Sequence, residues 1–140
     1  MTTILIPVSP GELFDKLAIL ELKLQHLADD RQLAHVRVEK ELLDQALLSV
    51  HIDLAALAHQ REALLAVNAD LWAIEEDIRR FEARQDFGPA FIALARAVYT
   101  LNDTRARLKR EINLALGSAI VEQKSHLGAA NASERRPQNS

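Results

Sequence analysis

Hydrophobic residues recur through most of this chain at alternating steps of three and four positions, the spacing of one face of an α-helix. Long stretches without glycine or proline carry this period, and polar residues occupy the positions between. Residues 3–8 differ, because they read TILIPV, an apolar and β-branched run that is typical of extended backbone. The pattern therefore predicts an all-α fold, a helical bundle preceded by a short extended N-terminal arm.

Capping residues define the start of helix 1. Ser9 is the expected N-cap, Pro10 takes the first helical position, and Glu12 is placed to complete a capping box. Helix 1 is therefore predicted at about residues 10–27. Its leucines cover a wide arc, so we expect burial on more than one side, with the remaining surface covered by Asp15, Lys16, Glu21 and Lys23.

The other helices are separated by one weak break and one strong one. Capping and weakly helix-forming residues at 49–53 separate helix 2, at about 31–49, from helix 3, at about 54–84. Proline is common in the first turn of a helix, so Pro89 marks the start of helix 4, which is predicted at about 89–116. The short connection predicts that helices 3 and 4 form an antiparallel helical hairpin.

The two ends of the chain call for different interpretations. A single strand is not stable alone, so the arm either packs over the helices, which we favour, or pairs with the arm of a second copy. Pro7 confines it to an edge strand or to no strand. Residues 1–124 are predicted to form one helical domain, and residues 125–140 a disordered tail. We also expect a homodimer that buries helix 1 or the arm.

Composition narrows the class of protein. The 140 residues are 49% hydrophobic and only 4% aromatic, and the formal charge is −3, so neither nucleic acid nor an anionic membrane is favoured as a partner. No apolar run approaches 18 residues, and we expect a cytoplasmic protein. Cysteine is absent and the five histidines have no helical ligand spacing, so neither a metal nor a cofactor is expected.

A row of polar and aromatic residues runs beside the apolar stripes of the predicted hairpin. Arg105 lies on the packing face itself, where a guanidinium is costly unless an anion meets it. Hairpin geometry is expected to bring Glu75 near Asn102 or Arg105. It likewise brings Asn68 near Arg105 or Lys109. The candidate ligand-binding residues are Asn68, Trp72, Glu75, Arg79, Tyr99, Asn102, Arg105, Lys109 and Asn113.

Two interpretations of this row stay open. The favoured one is a buried network of ion pairs and amides that sets the register of the hairpin. The anion that meets Arg105 is then a carboxylate of this chain or of a second copy. The other is a pocket for an anionic small molecule, with Trp72 or Tyr99 as a stacking wall. The sequence assigns no catalytic residue.

Four blocks of the chain are similar to a known family. They are residues 4–17 (ILIPVSPGELFDKL) with 19–23 (ILELK), residues 68–79 (NADLWAIEEDIR), residues 85–88 (QDFG), and the stretch from Tyr99 to Asn113. In these blocks the chain resembles a family of small bacterial proteins of unknown function. The resemblance implies a bacterial origin and carries no activity.

The sequence supports two hypotheses about function. The leading one is a non-enzymatic helical interaction or assembly module, in which the polar row is structural. The alternative is a small-molecule-binding protein or an enzyme that acts on a phosphorylated or carboxylated metabolite, such as a sugar nucleotide. They differ in the expected effect of Arg105→Met, which changes mainly stability in the first case and mainly binding in the second.

Overall fold

A computed structural model describes residues 2–117, and its regular structure is helical. The elements are α1 (Pro10–His26), α2 (Asp30–Leu48), a short 3-10 turn (Ala55–Leu57), α3 (Ala58–Ala83) and α4 (Pro89–Ala115). The predicted all-α fold, the break after helix 2 and the antiparallel α3–α4 hairpin are confirmed. The arm forms no strand within the described residues.

Helix α1 is the centre of the bundle, because α2, α3 and α4 all pack against it. It begins as predicted: the Ser9 side chain accepts a hydrogen bond from the backbone N–H of Glu12 at 3.2 Å, and Pro10 follows the cap. The other helices of the same protomer cover most of the apolar residues of α1, and a homodimer that buries helix 1 stays a prediction. The core cluster consists of Phe14, Leu57, Leu64, Val67, Leu108 and Ile112.

Two local interactions form the break between α2 and α3. Ser49 caps the end of α2, where its hydroxyl donates a hydrogen bond to the carbonyl oxygen of Ala46 at 2.6 Å. Asp53 then accepts a hydrogen bond from the backbone N–H of Ala55 at 3.1 Å and begins the 3-10 turn. The predicted break is therefore correct in place, with Ser49 at the end of α2 and Asp53 just before the 3-10 turn.

Two expectations about exposure are wrong. Asp15 was expected on the solvent side of helix 1, but it is 3% exposed, because it faces α3 and α4. The N-terminal arm was expected to pack over the helices, but Ile4, Leu5 and Ile6 are 79%, 91% and 69% exposed. Pairing of the arm with a second copy stays a prediction. The predicted tail at 125–140 lies outside the described residues.

The hairpin has two halves with different surroundings. Helices α3 and α4 have 26 and 27 residues, whereas α1 has 17, so α1 is shorter than the hairpin by about 14 Å. The buried residues of the hairpin lie at 64–71 in α3 and 108–113 in α4, and we call the part that contains them the inner half. Residues 72–107, the outer half, contain no buried residue. None of the helices described between residues 2 and 117 is long and apolar enough to cross a membrane.

Candidate functional site

Polar side chains are buried where the first turns of α1 cross the hairpin. Among residues 2–117, five polar residues are buried, and all five lie at this crossing. Two partly exposed side chains, Glu12 and Arg105, complete the group. We call these residues the polar cluster: Ser9, Glu12, Asp15, Asn68, Arg105, Lys109 and Asn113.

The close approach of α1 to α4 at Gly11 brings the cluster together. A Cβ atom at this position would collide with the backbone carbonyl oxygen of Lys109 and lie only 2.9 Å from the carbonyl carbon. The Gly11 N–H is one of the free donors at a helix N-terminus, and it donates to Oδ1 of Asn113 at 2.7 Å. A residue without a side chain is therefore required for α4 to bond the end of α1.

Asp15 is the anion that meets Arg105. Its carboxylate side chain is 4% exposed and lies 3.9 Å from Nε of Arg105 and 4.0 Å from Nζ of Lys109. Nδ2 of Asn68 donates to the same carboxylate at 2.9 Å and to the carbonyl of Leu64 at 3.0 Å. Arg105 in turn donates to Oδ1 of Asn68 at 3.4 Å. The sequence allowed a carboxylate of this chain in that role, and the carboxylate comes from α1.

Lys109 forms the shortest ion pair of the cluster. Its Nζ lies 2.6 Å from Oε2 of Glu12, with side-chain exposures of 10% and 29%. A short charge-assisted hydrogen bond of this kind offsets the desolvation of the lysine. With Asp15 and Arg105, the cluster contains two carboxylates and two cations in contact, so its formal charge is zero. The charges of the cluster therefore neutralise one another within the chain.

One polar atom in the cluster is not satisfied within the described part of the chain. Asn113 is 1% exposed, and its Nδ2 has no hydrogen-bond partner among residues 2–117. A buried unsatisfied donor costs about 1–3 kcal/mol. Oδ1 of the same amide accepts the hydrogen bond from the Gly11 N–H, which fixes the side chain and leaves Nδ2 without an acceptor among residues 2–117.

The structure divides the nine predicted site residues into two groups. Asn68, Arg105, Lys109 and Asn113 belong to the polar cluster. The other five lie away from it. Glu75, Arg79 and Tyr99 are exposed, and Asn102 and Trp72 are partly exposed.

Trp72 and Glu75 have different surroundings from those predicted. Trp72 stacks on His26 with ring centroids 4.9 Å apart and donates to Glu76 at 2.9 Å. Glu75 does not neutralise Arg105, because Arg105 reaches across to α1.

Sequence reasoning missed the α1 half of the site. Gly11, Glu12 and Asp15 were assigned only to a helix start and a solvated face. A signal was present, because Gly11 and Asp15 are four residues apart and share a helix face with the buried Ala18 and Leu22. A carboxylate on an apolar face requires a cation for the same reason that Arg105 requires an anion.

A separate groove lies between α1, α2 and the start of α3, with a volume of about 320 Å³. Its lining combines apolar residues such as Phe14, Leu17 and Leu47 with charged residues that include the Lys40–Asp44 ion pair. It shares no residue with the polar cluster. Within residues 2–117, no three histidine, aspartate or glutamate side chains are grouped so as to hold a metal ion.

The fold and the cluster define a class of small all-α protein in which a long helical hairpin is tied to the N-terminal helix by buried ion pairs. The chain belongs to a family of unknown function, DUF6165, whose model matches residues 4–138. This match confirms the resemblance seen in the four sequence blocks. Neither the curated proteins nor the solved structures yielded a match.

Proposed function

We propose that this protein is a non-enzymatic helical interaction module, and that its polar cluster is structural. The observation that carries the proposal is the apolar surface left open by the protomer. Thirteen large hydrophobic residues are exposed among residues 2–117, against twelve hydrophobic residues buried in the core. Scattered exposed leucines are ordinary, but large apolar side chains that are grouped on the surface favour association.

The exposed residues are grouped along the chain. Four lie in the arm, from Ile4 to Val8, and three lie near the outer end of the hairpin, at Phe87, Ile92 and Tyr99. Burying one such side chain contributes about 1.5–3 kcal/mol. A homodimer in the cytoplasm of a bacterium is the form in which we expect the module to act.

The charge balance of the cluster supports a structural role. An anion-binding pocket needs cations that are free to meet the ligand, whereas Arg105 and Lys109 already contact Asp15 and Glu12. The cluster also joins three helices, since its members come from α1, α3 and α4. Its contacts therefore set how α1 lies across the hairpin.

Arg105→Met tests this role. We expect the free energy of unfolding to fall by about 1–3 kcal/mol, because Asp15 is buried and loses one of its cations. The matched control is Arg80→Met. Nη1 of Arg80 lies 2.6 Å from Oδ1 of Asp77, but the arginine side chain is 65% exposed. That change is expected to cost less than about 1 kcal/mol. Urea titration followed by circular dichroism measures both values.

A thermal-shift screen separates the proposal from the alternative of a small-molecule site. Wild-type protein is screened against nucleotides, sugar nucleotides, sugar phosphates and dicarboxylates, and no shift is expected. A ligand at about 100 times its dissociation constant would add about 2.7 kcal/mol of stability. A shift that is present in the wild type and in Arg80→Met but lost in Arg105→Met would replace the structural role with a binding site.

A further inference from the structure

The first half of α4 is a helix with almost no polar side. Residues 89–102 read PAFIALARAVYTLN, and Arg96 is their one charged residue. A helix that is apolar all round is normally buried. No residue of this segment is buried in the protomer, however, and Ile92 and Tyr99 are 53% and 56% exposed.

Both faces of this segment lack full cover. The face toward α3 carries Phe91, Leu94, Val98 and Leu101, and all four are only partly buried. Farther along the same stripe, in the inner half of the hairpin, Leu108 and Ile112 are 5% and 0% exposed because α1 covers them. The outer half of the hairpin has no described helix in the position that α1 takes on the inner half.

The neighbouring stretch of α3 shows on which side the open surface lies. Residues 75–84 read EEDIRRFEAR, with seven charged residues in ten. This part of α3 carries exposed ion pairs, such as Arg80 with Asp77 at 2.6 Å. A charged, solvated flank on α3 (residues 75–84) and a nearly uncharged flank on α4 (residues 89–102) make this end of the hairpin amphipathic as a unit. The surface that requires cover is the α4 side.

We propose that residues 89–102 of α4 form a dimerisation surface that pairs, antiparallel, with the same residues of a second copy across a two-fold axis. The inference rests on the proposed function and names its partner. Two hairpins joined in this way form a four-helix bundle, in which each supplies the apolar layer that the other lacks. Alanines at 90, 93, 95 and 97 allow the two α4 helices to approach closely.

The charge and size of the surface favour a second copy over other partners. One positive charge in fourteen residues offers little to nucleic acid or to an acidic peptide, whereas an identical apolar surface is complementary to it. The segment is about 21 Å long. Two such hairpins in contact bury an area on the order of several hundred Å² per partner, approaching the roughly 800 Å² of a standard interface.

Light scattering after size-exclusion chromatography tests the proposal on the full chain. We expect the wild type to have twice the 15.6 kDa mass of one chain at tens of micromolar. The double variant Ile92→Glu/Tyr99→Glu is expected to be monomeric, with the dissociation constant raised about tenfold or more per glutamate. Both positions are exposed in the protomer, so circular dichroism should show an unchanged helix content. Val38→Glu on α2, at a site 60% exposed, is the matched control and should remain dimeric.

Cysteine cross-linking tests the antiparallel arrangement. The chain has no cysteine, so single substitutions are clean probes. With Ile92→Cys, Ala95→Cys and Tyr99→Cys made one at a time, at least one position lies near the two-fold axis and should give a disulfide-linked dimer under mild oxidation. Glu76→Cys, on the charged flank of α3, should give none.

Three results would overturn the inference. One is a wild type that is monomeric at every concentration. Another is a dimer that survives Ile92→Glu/Tyr99→Glu and dissociates on Leu5→Glu, which would place the interface on the arm while leaving an interaction module. The third is disulfide formation at Glu76→Cys alone. Failure of the proposed function is a separate observation, a ligand-induced thermal shift that is lost in Arg105→Met.

Discussion

At the scale of single residues, Gly11 determines how closely α1 and α4 approach. Its backbone N–H bonds Asn113, and the space for a side chain is taken by the backbone of Lys109. Helix propensity taken alone favours alanine over glycine by about 1 kcal/mol. The contact with α4 reverses that sign, because a backbone carbonyl cannot move aside as a flexible side chain can.

Gly11→Ala is therefore expected to destabilise the protein by about 1–3 kcal/mol, the usual effect of overpacking. The matched control is Gly88→Ala at the start of α4, where the nearest atom to a new Cβ is a side-chain oxygen of Asp86 at 3.3 Å. That change should stay within about 1 kcal/mol of the wild type. Urea titration measures both, and equal stabilities would contradict the close approach.

The ion pairs of the cluster belong to the same scale. Arg105 was recognisable from the sequence, since a guanidinium on an apolar stripe requires an anion. Its partner, Asp15, lies ninety residues earlier, and nothing in the spacing of the hairpin indicates it. The contact between them exists because α1 crosses the hairpin at residues 11–15, a tertiary arrangement that local periodicity does not encode.

At the scale of elements, α2 is attached less firmly than the other helices. Its extensive contacts are with α1 and with no other helix, and Val36 is its one buried residue. Val38, Leu42 and Leu48 of the same helix are exposed. An element with so little buried apolar surface opens locally at a low cost in free energy.

Hydrogen exchange measured by mass spectrometry should show this difference. Amides of α2 are expected to exchange well before those of α1 and of the inner half of the hairpin, which surround the core. Protection of α2 equal to that of residues 64–71 would mean that a further contact covers it. The groove between α1, α2 and α3 would be the first place to search for that contact.

At the scale of the whole molecule, the protomer leaves many large apolar side chains on its surface instead of in its core. The arm and the first half of α4 expose large apolar side chains, which monomeric proteins rarely expose in contiguous groups. In the dimer that we propose, a second copy covers this part of α4, and association contributes to the stability of the fold.

The midpoint of thermal unfolding should therefore depend on protein concentration. For a dimer of this chain length we expect the midpoint to rise by roughly 2 °C for each tenfold increase in concentration. The Ile92→Glu/Tyr99→Glu variant should show a constant midpoint over the same range. Circular dichroism melts at three concentrations measure both, and a constant midpoint in the wild type would contradict self-association.

Sequence alone determined the elements of this protein. Capping at Ser9, the break at 49–53 and the proline at 89 are local signals, and the helices begin and end close to where those signals place them. The antiparallel hairpin followed from a short connection. Four of the nine candidate site residues lie in the polar cluster because they share a face with the apolar stripe.

Tertiary structure decided which faces meet. The burial of Asp15, the pairing of Lys109 with Glu12 and the requirement for glycine at 11 all depend on where α1 crosses α4. The exposure of the first half of α4 depends on α1 being shorter than the hairpin it covers. Periodicity gives the faces of each helix separately, whereas partners distant in sequence are chosen by the packing of the whole chain.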